Sequence, residues 1–268
     1  MRLSEYREAQ DSITGSALQY ILSILLPFKN LPIARVTWLS LLGALFPVVV
    51  GARRQSAELA RQFYDEDRIA HGLTDRFDID LPDYEWEWFL NAMEPSYQAF
   101  VSGDMSDGQF AQTGLRAIKE IENAGRKELI KAVRDENEAY PSARIGWARV
   151  ATGRETCAFC LMLVSRGPVY EDSQQAGLND EEKALELLES GADKATLREL
   201  MTRWHPGCDC IAVPVRDINS WEGRDAWKEA EDIWKETTKS FTGVDKLNAF
   251  RRAIERGDVN PQDFAVAA

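Results

Sequence analysis

Through the first 140 positions, apolar residues recur mostly at three- and four-residue spacing, the period of amphipathic helices. The uncharged run Ser12–Leu26 predicts a first helix ending at Pro27. Val36–Phe46 predicts a second, stopped or kinked by Pro47. In Ser56–His71, Leu59, Phe63 and Ile69 fall roughly on one face, and Gly72 offers a C-cap. An Asp- and Pro-rich stretch, DRFDIDLPD, precedes a helix expected over Tyr84–Gly103. Its aromatics Trp86, Trp88, Phe89, Tyr97 and Phe100 suit core packing first, or a partner surface. Ser106 is placed to N-cap a long helix reaching Glu138. Its apolar positions Phe110, Leu115, Ile118, Ile121, Leu129, Ile130 and Val133 keep the helical period, and Pro141 ends it.

The pattern then changes. Arg144–Val150 alternates as a strand does, and IAVPV at 211–215 reads as another. Between them lie CAFCLMLVSRG and two short helical patterns, Asp180–Ser190 and Ala192–Met201, parted by Gly191. The segment Trp221–Arg256 turns helical again, with Trp227 and Trp234 seven residues apart. The expected fold is mainly α with a small α+β C-terminal module. The natural division is a helical part at 1–140, a mixed module at 141–216 and a helical tail at 217–268.

Charge narrows the choice of partners. The formal net charge is −12, which argues against a broad basic face for nucleic acid. The acid is concentrated: residues 61–110 sum to about −9, a solvated helical face before anything else. The uncharged runs Ser12–Phe28 and Val36–Gly51 are shorter than the roughly 20 residues a spanning helix needs, and both contain Pro and Gly. They are expected as core helices, with no membrane association. The N-terminus MRLSEYREAQD lacks the features of a signal peptide. Four cysteines do not make a disulfide-dense secreted scaffold, so folding in a reducing cytoplasm is expected.

Candidate chemistry is confined to two clusters. CAFC holds Cys157 and Cys160; HPGCDC holds His205, Cys208 and Cys210. The first motif offers two thiolates from one short loop. In an extended segment Cys208 and Cys210 project to the same side. Together they could fill a tetrahedral site, with His205 able to replace one of the last two cysteines. A sulfur-rich shell selects zinc over magnesium or calcium. Disulfides among the same four cysteines, or plain buried thiols, would also satisfy the pattern. A cross-link here would close a loop of about fifty residues, a contribution on the order of 3–4 kcal/mol. Such a link is structural rather than catalytic. No zinc-deaminase pairing, HExxH, Walker loop or dinucleotide fingerprint is present. His71, at a helix end, suits a capping role.

GWARVATGRETCAFCLMLVSRGPVY followed by WHPGCDCIAVPV resembles the C-terminal domain of MuF-like phage minor head proteins from actinobacterial tailed phages. Cys157, Cys160, Gly167, His205, Pro206, Cys208 and Cys210 carry the match, and VVVGARRQSAELARQFYDEDR is similar to the N-terminal part of such proteins. The resemblance implies a virion component made in the host cytoplasm and held inside the capsid near the portal. Expected partners are the portal and major capsid proteins, with possible internal contact with packaged DNA. The implied role lies in head assembly and DNA packaging or delivery. The alternative is a capsid maturation protease or other hydrolase, with Cys160, Cys208 or His205 as the reactive group.

Overall fold

The computed structural model describes residues 1–75, 83–142, 144–152, 156–169, 204–208, 210–242 and 244–264. The chain is mainly helical, with one two-stranded antiparallel sheet among the described residues. It forms two compact units, Met1–Glu128 with Trp204–Gly207, and Leu129–Arg203 with Cys208–Ala268. The helical patterns expected over 180–201 lie outside the described residues.

The first unit is built on a helical hairpin. Helix α1 (Leu3–Leu25) buries Leu3, Tyr6, Gln10, Thr14, Ala17, Ile21 and Leu25, a three-four spacing that keeps one face on its partner. Helix α1 begins nine residues before the expected Ser12, because polar Gln10 and Thr14 take core positions that a hydrophobic scan passes over. Pro27 follows in a short 3-10 turn, Leu26–Phe28.

Helix α2 (Arg35–Ala70) joins the two helices expected on either side of Pro47 into one of 36 residues. Proline removes one donor and crowds the carbonyl four residues back. Here both Pro47 and Gly43 face solvent, so water can serve that carbonyl. On the opposite face Trp38, Leu42, Leu45 and Val49 are buried in one core, which holds both halves in line. By length and composition α2 is the one described helix that could cross a membrane.

Helix α3 (Trp86–Ser102) adds Phe89, Met93 and Phe100 to the same core, with Trp38 tilted against Phe100 at 5.1 Å between ring centroids. It ends at Gly103, whose left-handed φ of 65° and close approach to Pro32 both exclude a side chain. Helix α4 (Asp107–Ala139) starts as expected at Ser106. The Ser106 hydroxyl accepts from the Gln109 N–H at 3.2 Å, and Gln109 Oε1 accepts from the Ser106 N–H at 2.9 Å.

The second unit takes the end of α4, from Leu129 onward. Strand β1 (Gly146–Val150) pairs antiparallel with β2 (Ile211–Val215), in the register Gly146↔Val215 through Val150↔Ile211. All five β1 residues are buried, which explains why its outward positions are not plainly polar. Asn137 clamps the entry to β1: its side chain donates to the Ile145 carbonyl at 2.7 Å and accepts from the Ile145 N–H at 2.9 Å. The exit of β2 is tied by Arg216, which donates two hydrogen bonds to the buried Glu136 carboxylate.

Helix α5 (Ala158–Val164) packs on β1 and on the last two helices, α6 (Arg224–Thr238) and α7 (Val244–Glu255). The expected Trp221–Arg256 helix is thus two helices. Trp227 and Trp234 do share one buried face of α6, and Trp234 meets Phe250 of α7 edge-on at 5.1 Å. Gly167 lies against the Trp227 indole so closely that a Cβ would come within 2.4 Å of the ring.

Candidate metal centre

Three buried sulfurs gather where α5 and β2 begin. Cys157 is the N-cap residue of α5, and Cys160 lies one turn in. One helical turn therefore brings both CAFC thiols to the same end of the helix. On the other side, Gly207 takes a positive φ of 79°, which turns the chain sharply after His205–Pro206. Cys208 follows that turn, and Cys210 directly precedes Ile211, the first residue of β2.

The Cys160 Sγ lies 3.1 Å from that of Cys208, and the Cys208 Sγ lies 3.2 Å from that of Cys210. The three sulfurs all fall within 4.8 Å of one another. None of these separations approaches the S–S bond length of about 2.05 Å, and all four cysteines are free. A triangle of sulfurs is also not what pairwise disulfides produce, and these three could serve a shared metal ion. Cys157, half-buried, contacts Cys160 but lies outside the group of three sulfurs within 4.8 Å of one another.

Hydrogen bonding with Cys157 comes first among the influences that hold the Cys160 proton, followed by Cys208, Cys210 and burial; all push this thiol far above its ordinary range. Adjacent buried sulfurs resist carrying several negative charges unaided. A dication placed among them reverses that balance, because the thiolates become its ligands.

His205, the remaining ligand candidate, is half-buried in the segment Trp204–Gly207 that belongs to the first unit. Its Nδ1 is 2.9 Å from the Pro206 carbonyl oxygen. In the tautomer protonated at Nδ1, that nitrogen donates to the carbonyl and Nε2 keeps the lone pair a metal would need. His71 is the exposed C-cap residue of α2, with Nδ1 2.8 Å from the Asp67 carbonyl, a local capping arrangement.

One participant was not among the sequence candidates. Arg149, 1% exposed, donates from Nη1 to the Cys210 Sγ at 3.3 Å. The signal was present in RIGWARV, an arginine inside a short run that predicts a strand, but only the pairing of β1 with β2 shows what it faces.

A family model described as VG15 protein matches residues 1–237. The Gene 15 protein of Mycobacterium phage L5 is 36% identical over 299 aligned residues, covering 100% of each chain. The Gene 15 protein of Mycobacterium phage D29 is 36% identical over 276, covering 96% of this chain and 100% of the relative. No solved structure matches.

Proposed function

The chain belongs to the VG15 protein family, with relatives in mycobacteriophages along its whole length, and we propose that it is a structural minor capsid protein of a tailed phage. In this reading it sits inside the head near the portal and acts in head assembly and in packaging or delivery of DNA. Full-length similarity to phage Gene 15 proteins is the observation that carries the proposal. The MuF-like pattern at Cys157, Cys160, His205, Cys208 and Cys210 gives it its specific form.

The cysteine cluster supports a shape-keeping role. Its sulfurs contact one another in a buried site, which is the chemistry of a cross-link rather than of an accessible nucleophile. Zinc held by the thiolates would fasten the start of α5 to the start of β2. The helical first unit offers exposed apolar side chains, among them Leu26, Leu31, Val36 and Trp88, for portal or capsid contacts.

The test is mass spectrometry of purified virions, together with a phage lacking the gene. The chain should be present at low copy number, and its loss should leave heads defective in assembly or DNA content. Virions without the chain, and normal filled heads in its absence, would overturn the proposal. So would trimming of the co-expressed major capsid protein that stops with Cys208→Ser while the fold is retained, since that result marks a protease.

A further inference from the structure

A buried guanidinium is costly unless a negative group faces it, and it keeps its charge at any accessible pH. Arg149 is such a group, and the sheet register explains its target. Arg149 pairs with Ala212, so its side chain leaves the same face of the sheet as that of Ala212. Cys210 stands two residues before Ala212, and alternation along an extended chain returns its side chain to that face. The result is the 3.3 Å contact from Nη1 to Cys210 Sγ.

We propose that Arg149 is a positioning residue of the metal centre, whose fixed positive charge stabilises the Cys210 thiolate and the net negative thiolate–metal cluster. The inference rests on the metal reading above. A divalent ion with four thiolates carries a net −2, and with three thiolates and an imidazole −1. Either is expensive to bury, and a guanidinium in contact with a ligating sulfur offsets one unit of it. Groups that hydrogen-bond metal ligands commonly change metal affinity by roughly ten- to a hundredfold when removed.

The experiment uses the full chain, loaded with zinc for competition against a chromophoric chelator, and with cobalt(II) for the thiolate-to-metal charge-transfer band. Arg149→Met and Arg149→Gln should each weaken zinc binding roughly ten- to a hundredfold. Both should move the cobalt band to lower energy, because an uncompensated thiolate gives up its electron more readily. Arg149→Lys, which keeps the charge without the planar fork, should fall between these variants and the native chain. If Arg149→Met does not fold, the Lys and Gln variants decide, since Gln keeps an N–H donor and lacks only the charge. Lys and Gln variants that bind equally, or a Gln variant with native affinity and an unmoved band, overturn the inference and leave the metal reading standing. A native chain that takes up neither zinc nor cobalt removes both.

Discussion

At Gly125 the contacts of three helices meet. A Cβ there would come within 2.8 Å of Ser56 Oγ, 2.9 Å of Gln10 Nε2 and 2.9 Å of the Ser56 carbonyl oxygen. Those atoms are already committed: Gln10 Nε2 donates to the Ser56 carbonyl at 2.9 Å, and Ser56 Oγ donates to Gln10 Oε1 at 2.8 Å. Beside them the buried Tyr6 hydroxyl, its pKa pushed up to about 12 by loss of solvent, accepts from the same Gln10 amide. Gly125→Ala should destabilise the chain by about 1–3 kcal/mol, the range of overpacking in a filled core. Gly15→Ala, on the exposed side of α1 with open space above it, should instead stabilise by about 0.4–1 kcal/mol. Thermal denaturation of the two variants checks both signs. A Gly125→Ala chain that melts no lower than the native one would contradict the packing assigned to Gly125. Residue-scale reading picks out rare residue types: two histidines and four cysteines stand out in any sequence. It missed Gln10, Gly125 and Arg149, whose roles come from partners 46 or more residues away.

The start of α4 was more legible than the continuity of α2. Ser106 is a local N-cap signal, and the structure adds its reciprocal hydrogen bonds with Gln109. Ser106→Ala should cost about 0.5–2 kcal/mol, measurable as a lower denaturant midpoint with an unchanged slope. An unaltered midpoint would mean that α4 is fixed by its packing alone. Pro47 illustrates the opposite case. Its local preference is to break α2, yet Leu42, Leu45 and Val49 are buried on both sides of it, and the strained turn faces water. Tertiary burial outweighs a local cost of about 3 kcal/mol, and only the partner helices reveal that burial. The strands were legible because β-branched and aromatic residues alternate in short runs. Their register was not, since it depends on two segments about sixty residues apart.

At the scale of the whole molecule, the proposed sulfur-bound cation would hold the second unit in shape. Among its described residues that unit buries Trp147, Leu161, Val213, Trp227, Trp234 and Phe250 beside a two-stranded sheet. Structural zinc sites contribute folding free energy outright. Chelation under reducing conditions should therefore lower the thermal midpoint, and Cys208→Ser should lower it with or without chelator. A chelated chain that melts like the untreated one would leave the cation without a structural role. The most direct test is elemental analysis with a thiol count on chain purified under reducing conditions from the bacterial cytoplasm. The account predicts about one zinc per chain, with the cysteine ligands protected from thiol reagents until the metal is removed. Metal-free protein with all four thiols reacting at once, or with two disulfides already formed, would contradict it.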